Sequence, residues 1–212
     1  EFWMVEPEMA FHDLEDNMEV IEQLVESIVR DVVSVCSEEL DVLQRDVAKL
    51  EVVEAPFPRI HYDEAVDRLQ EAGFDFEWGG DFGSPEETEL AKQFDRPFFV
   101  THFPASIKAF YMSRDPERPD CALACDLLAP EGYGELVGGS QREDNLDELV
   151  KRIEEHQLPM ESFEWYLDLR RYGTVPHSGF GLGIERTVTW ICGIEHLRET
   201  IAYPRMLYRY RP

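Results

Sequence analysis

Glycine stands at every second position of Gly179-Phe180-Gly181-Leu182-Gly183, in an apolar run that opens at Pro176-His177-Ser178 and closes on Ile184-Glu185-Arg186. Each glycine weakens a strand and marks a place where a ligand or another backbone comes close. The period then changes: Ile184, Val188 and Ile191 fall at helical spacing, with Trp190 one step round. The pattern predicts a strand, a turn and a helix, the bare strand packed against something flat. Glu185-Arg186 sits at the junction, where a rigid guanidinium can reach a nucleotide. A Gly-rich packing contact with a surface salt bridge fits the same residues. A dinucleotide-binding glycine loop does not, because its glycines open a helix after a strand, whereas these lie within one.

The 212 residues, 43% of them hydrophobic, suffice for one sizeable core with room for an appended subdomain. No apolar run approaches the roughly 20 residues of a membrane span, and Glu1-Phe2-Trp3 opens nothing like a signal peptide. Cys36, Cys121, Cys125 and Cys192 are scattered, without a second Cys or His pair at zinc spacing, so a reducing cytoplasm is the expected location. The net charge of -25 is unusual, and it is uneven. Residues 1–100 carry 7 basic and 27 acidic groups, while from Phe163 onward the balance is 7 basic to 5 acidic. Lysine is scarce, with 4 against 16 arginines. An acidic outer surface of this kind suits a halophilic, salt-accumulating cytosol, where charge is screened over only about 3 Å near 1 M salt. A merely acidic mesophilic protein is the alternative.

Glu1 to Phe11 sets Phe2 and Met4 against Glu6 and Glu8 and predicts a strand, with Phe2 on the face opposite Glu6 and Glu8 unless a bulge intervenes. Asp13 or Asp16 caps a helix with an apolar stripe from Leu14 to Val32. Further helices are predicted over Glu38 to Val53, Asp63 to Ala72 and Glu86 to Phe94, with a short strand at Arg59 to Tyr62. Pro97 to His102, Ile107 to Ser113, Ala122 to Leu128 and Gly134 to Gln141 read as strands joined by Pro and Gly turns, which favours an antiparallel sheet. Helices at Asn145 to His156 and Phe163 to Arg170 precede the glycine strand. The fold class is therefore α+β, an antiparallel sheet flanked by helices, with a helical, acidic segment of about residues 13–95 packed on the sheet within one domain, 1–212.

Asp126 and Glu135 lie on successive strands joined by a short turn. Two carboxylates facing one pocket need a cation or proton between them, and magnesium takes one or two carboxylates plus phosphate oxygens; two solvated acids are the plain alternative. Gly138-Gly139-Ser140-Gln141-Arg142 sets an arginine after a side-chain-free segment, where its forked donors can hold a substrate oxygen or simply face water. An aromatic and a guanidinium can sandwich a purine, which gives Phe2 and Arg186 a joint role. Lys108, Arg170 and Arg171 add positive charge nearby, and His102 and His177 have no neighbouring nucleophile.

Gly179-Phe180-Gly181-Leu182-Gly183-Ile184-Glu185-Arg186 resembles motif 3 of the class II aminoacyl-tRNA synthetases. Glu1 to Phe11, Ile107 to Met112, Gly138 to Glu143, Asp168 to His177, Arg198 to Ile201 and Tyr203 to Arg205 are similar to the asparaginyl branch of the aspartyl/asparaginyl subgroup. The resemblance implies the catalytic core of that class and a place for ATP between Phe2 and Arg186, on a floor of Gly181 and Gly183. Magnesium would be held by Asp126 and Glu135, with Glu135 also in the ATP site. Arg142 would bind the side-chain carbonyl of asparagine, Glu6 its amide nitrogen, and Gln141 would line the same subsite. Arg142 and Arg186 take the catalytic roles. Asparagine, ATP and tRNA(Asn) are the implied partners, with a homodimer in the full-length enzyme.

The chain departs from that pattern in lacking motif 1, the motif 2 Phe-Arg-x-Glu and an anticodon-binding barrel. It is expected to be the C-terminal part of a catalytic domain and inactive alone. A synthetase-derived asparagine synthetase, using aspartate, ammonia and ATP, and a non-catalytic paralogue are the rival readings. The charge distribution yields its own prediction. Dialysis to ~0.05 M salt should unfold the protein as its acidic half repels itself; an unchanged circular-dichroism melt there refutes the halophilic reading.

Overall fold

The computed structural model describes residues 2–211. Glu1, the head of the predicted first strand, lies outside them. Two short strands, β1 (Met4–Val5) and β2 (Glu8–Ala10), run antiparallel to β7 (His177–Gly183). β7 pairs with β6 (Gly134–Gln141), β6 with β5 (Ala124–Ala129) and β5 with β4 (Phe98–Thr101), all antiparallel. At the far edge β3 (Arg59–His61) joins β4 in parallel, so the sheet is mixed at this one pair. The predicted opening strand is broken at Pro7, which has no N–H to give to a ladder, although its carbonyl still accepts from Phe180 N at 3.3 Å.

Asp13 and Asp16 form a reciprocal capping box that starts α1 (Leu14–Val35). The predicted helix over Glu38 to Val53 is instead two pieces, α2 (Ser37–Val42) and α3 (Ala48–Glu51), separated where Gln44 turns to φ 57. His61, rather than Asp63, caps α4 (Tyr62–Glu71), its ring accepting from Asp63 N at 3.2 Å. Then come α5 (Ser84–Ala91), α6 (Leu146–Glu155), α7 (Glu164–Arg171) and α8 (Ile184–Cys192). The stretch predicted as a strand at Ile107 to Ser113 is a loop tied to the sheet by a single bridge, Met112 to Arg142. Its turns, closed by Ile107 N to Pro104 O and Met112 N to Ala109 O, leave no ladder. No helix among the described residues is long and apolar enough to cross a membrane.

One core lies between α1 and the sheet, where Met18, Ile21 and Val25 meet Leu127, Val137, Phe180 and Leu182, with Trp190 of α8 closing it. A second gathers Tyr62, Val66, Leu69 and Leu90 of α4 and α5 with Phe98, Val100 and Leu128. A third, smaller cluster joins α6 and α7 through Leu149, Ile153 and Leu167, with Phe110 and Tyr111 packed on it. Helices α1, α4 and α5 pack on the sheet, and β3 supplies its far edge.

α1 approaches the sheet tightly at Gly139. A Cβ there would lie 2.8 Å from Asn17 Nδ2, 3.0 Å from Phe180 Cβ and 3.2 Å from Gly179 O. Asn17 is wholly buried and donates to that same carbonyl at 3.2 Å. Gly139→Ala should therefore destabilise the fold by about 1–3 kcal/mol through overpacking. A urea midpoint equal to that of the parent chain would contradict this packing.

Candidate active site

Strand register builds an open floor. Asp126, Gly138 and Gly181 are paired in one row across β5, β6 and β7, and Glu6, between β1 and β2, stands beyond Gly181. Neighbouring strands lie about 4.8 Å apart, so β5 and the Glu6 edge are roughly 14 Å apart with no side chain rooted between them. Above this floor is a cavity of about 880 Å³, lined among others by Glu6, Glu8, Lys108, Asp126, Glu135 and Arg142. Beside it a second cavity of about 290 Å³ is lined by Phe2, Gly181, Gly183, Glu185 and Arg186. Met4, Glu135 and Gly181 line both, so the two adjoin. Phe2, Met4, Glu6 and Glu8 all reach these cavities, which corrects the expectation that Phe2 faces away. Even-numbered residues of an extended chain share a face without any bulge.

The bulge lies instead on β6. Leu127 pairs with Val137 but Leu128 pairs with Glu135, leaving Leu136 as an extra residue. Glu135 and Gly138 would point to opposite faces of a regular strand; the extra residue turns them to the same one. A Cβ at Gly138 would lie 2.8 Å from Glu135 Oε1 and 3.6 Å from Asp126 Oδ1, so the missing side chain leaves both carboxylates their place. Burial and the neighbouring Asp126 push the Glu135 carboxyl up to about 7. Burial raises Asp126 as well, against the pull of Lys108. Lys108 comes from the loop that replaces the predicted strand. Its Nζ lies 2.5 Å from Asp126 Oδ2 and 3.8 Å from the centre of the Phe103 ring.

Arg142 is fixed from three sides. Its Nη2 donates to Glu8 Oε1 at 2.6 Å, its Nη1 to Ser140 Oγ at 2.6 Å, and the guanidinium lies 5.1 Å from the Tyr111 ring centre. A Cβ at Gly179 would sit 2.5 Å from the Glu8 carboxylate, so that glycine admits the Arg142 partner. At Gly181 the nearest atom is Met4 Cε, at 2.6 Å from the same imaginary Cβ. Gly179 and Gly181 are thus covered by the protein's own Glu8 and Met4. Glu6 makes no hydrogen bond or ion pair with the described residues. Arg186 donates through Nη1 to Glu135 O at 2.7 Å. Its neighbour Glu185, only 5% exposed, accepts Trp3 N with both carboxylate oxygens at 3.0 Å. Trp3 O in turn accepts Ile184 N at 3.0 Å, which pins the chain beside Phe2.

Phe2, Glu6, Asp126, Glu135, Arg142, Gly181, Gly183 and Arg186 are therefore brought to the paired cavities, whereas Gln141 is not. Period 2 sends Gln141 to the face of Gly139, away from Arg142. Glu8, Lys108 and Glu185 are the site residues without a predicted role. Arg170 lines the larger cavity and donates to Glu143 O at 2.9 Å, while Arg171 pairs with Asp168 and Glu164 at the surface. His177 lines the larger cavity, with its Nδ1 hydrogen-bonded to Val175 O at 2.8 Å.

Among the described residues no group of three or more His, Cys, Asp or Glu side chains is gathered to hold a metal. The Asp126–Glu135 pair nevertheless fits an ion that takes two carboxylates and draws its remaining oxygens from phosphate and water. Burial holds both carboxyls up, with the nearness of Asp126 added at Glu135. Because the folded Glu135 holds its proton up to about 7, against an ordinary 4.5, stability falls as pH rises through that window. Without divalent ions, Glu135→Gln should match the parent in urea midpoint at about pH 4 and exceed it at about pH 8. Equal midpoints at both values would refute the shift.

The family model for tRNA synthetases class II (D, K and N) matches residues 1–207. The asparagine–tRNA ligase of Pelotomaculum thermopropionicum is 59% identical over 212 residues, covering 100% of this chain and 49% of the relative. That of Desulforamulus reducens is 58% identical over the same shares. The crystal structure of Pyrococcus horikoshii asparaginyl-tRNA synthetase complexed with asparaginyl-adenylate matches with a TM-score of 0.98 at 51% identity, over 100% of this chain and 49% of that one. The chain spans about half the length of the curated relatives it matches. Its matched motifs, sheet and paired cavities have one conclusion in common: the chain belongs to the class II tRNA synthetases (D, K and N).

Proposed function

We propose that this chain carries the asparagine and ATP subsites of an asparagine–tRNA ligase, which forms asparaginyl-adenylate and passes the amino acid to tRNA(Asn). The observation that carries the reading is the pairing of a fixed cation with a free carboxylate in the larger cavity. Arg142 is anchored by Glu8 and Ser140, while Glu6 has no partner among the described residues. A side-chain amide satisfies both, its oxygen accepting from Arg142 and its nitrogen donating to Glu6. Aspartate would set its carboxylate against Glu6. Sites built on such polar partners reject the wrong isostere by up to about 10⁴–10⁵. The names of the relatives support the same substrate.

In this reading the adenine lies between Phe2 and Arg186, beside Gly183 and over Gly181 once Met4 gives way. The asparagine carboxylate attacks the α-phosphorus in line, a mixed anhydride forms and pyrophosphate leaves. A ribose hydroxyl of the tRNA terminus then attacks the carbonyl carbon and AMP departs. Neither step asks for a strong base, so positioning and positive charge lower the barrier. Arg142 orients the amino acid and Arg186 holds the phosphate end. Asp126 and Glu135 would hold Mg²⁺, which supplies charge neutralisation to the triphosphate when bound. A homodimer working in a salt-rich cytoplasm completes the proposal.

Asparagine-dependent ATP–pyrophosphate exchange, measured on the full-length protein containing this chain, tests it. Exchange should require asparagine and ignore aspartate. Glu6→Ala should raise KM for asparagine, and Arg142→Ala should lower kcat/KM by about 10- to 10²-fold, as loss of a charged contact implies. Tritiated asparagine formed from aspartate and ammonia without tRNA would replace this reading with an asparagine synthetase. No exchange with either amino acid would leave a non-catalytic relative.

A further inference from the structure

Lys108 has no part in the chemistry just described, yet it is paired and largely enclosed within the site. Its side chain is 14% exposed and its Nζ lies 2.5 Å from Asp126 Oδ2, itself on a side chain only 16% exposed. The ammonium also lies 3.8 Å from the Phe103 ring centre, an arrangement that favours a desolvated cation. Lys108 lines the large cavity and also a polar pocket of about 100 Å³ walled by Asp81, Glu87, Asp126 and Glu135. It is the one cation among those pocket-lining residues. It hangs from a loop held by turns and one bridge, on a flexible stem with three rotatable donors.

Resting on the assignment of a divalent ion to Asp126 and Glu135, we infer that Lys108 is a built-in counter-cation that competes with that ion for Asp126 and yields only when a triphosphate arrives. The carboxylate cannot serve both partners at full strength, because each positive charge lowers the attraction left for the other. With no nucleotide present, the ammonium has no anion to turn to except Asp126 and its acidic neighbours. A triphosphate in the large cavity offers Lys108 phosphate oxygens and brings the remaining oxygen ligands the ion needs. Metal and nucleotide then enter together, and metal alone is refused. Lys108 acts here as a positioning residue.

Calorimetric titration with Mg²⁺ alone, at about pH 8 so that Glu135 is ionised, separates the outcomes. The full chain should bind Mg²⁺ at least about tenfold more weakly without nucleotide than with a non-hydrolysable ATP analogue. Lys108→Met should bind Mg²⁺ without nucleotide at least about tenfold more tightly than the parent. Lys108→Arg, which keeps the charge, should stay like the parent, and Lys108→Gln takes the place of Lys108→Met if that variant does not fold. Parent and neutral variants binding Mg²⁺ equally without nucleotide would overturn the inference. So would a parent that binds the ion equally well with and without the analogue. If neither the parent with analogue nor Lys108→Met takes up Mg²⁺, the metal assignment itself falls and takes this inference with it.

Discussion

One extra residue on β6 decides what the site can be. Leu136 and Val137 are consecutive, and both are buried in the core beneath the sheet. On a regular strand one of them would face the cavity. Burying each contributes about 1.5–3 kcal/mol, enough to favour the bulge that sends both inward. The consequence appears on the other side, where Glu135 is turned toward Asp126. Without that turn the two carboxylates would lie on opposite faces and the pair would not exist. Arg186 depends on the same local geometry, since its anchor is the Glu135 carbonyl.

The bare seam between β6 and β7 supplies the second condition. Its glycines clear space first for the protein's own side chains. The Glu8 carboxylate lies over Gly179, Met4 over Gly181 and Glu135 over Gly138. On the reverse face Gly139 lets α1 approach until Asn17 reaches the Gly179 carbonyl. The seam is therefore thin from both sides, with helix packing below and the site above tied to the same two strands.

Much of this was legible beforehand. β6 begins and ends where the residue pattern puts it, and the strand-to-helix change at Gly183 and Ile184 is where the period shifts. Asp126, Glu135, Arg142, Phe2 and Arg186 converge because strand order follows chain order from β3 to β7 and β1 returns to pair with β7. What stayed hidden depends on contacts between distant segments. Glu185 reads as one more acid until Trp3 N is found 3.0 Å away, 182 residues off in sequence. Lys108 was noticed for its charge alone, in a run of apolar residues that mimics a strand but folds as turns. The bulge leaves only a faint signal, two adjacent apolar residues where alternation would set a polar one. Gln141 marks the opposite limit, since resemblance placed it in a subsite from which strand period excludes it.

Charge in the site is balanced by pairing rather than supplied in excess. Arg142 faces Glu8, Lys108 faces Asp126, and Arg186 is engaged by a carbonyl. Glu6, Glu135 and Glu87 add carboxylates in or beside the cavities, and burial raises Glu87 as it does Glu135. On the proposed reading, a triphosphate entering such a site would meet cations that are already committed. Arg142 is the least able to turn, with Glu8, Ser140 and Tyr111 around it. Lys108, on a flexible stem in a loop, is the most able. Such a substrate would then bring part of its own neutralising charge or displace a partner from the protein's. Asp126 is where those two routes meet, because freeing Lys108 for a phosphate and giving its carboxylate to an incoming ion are the same exchange.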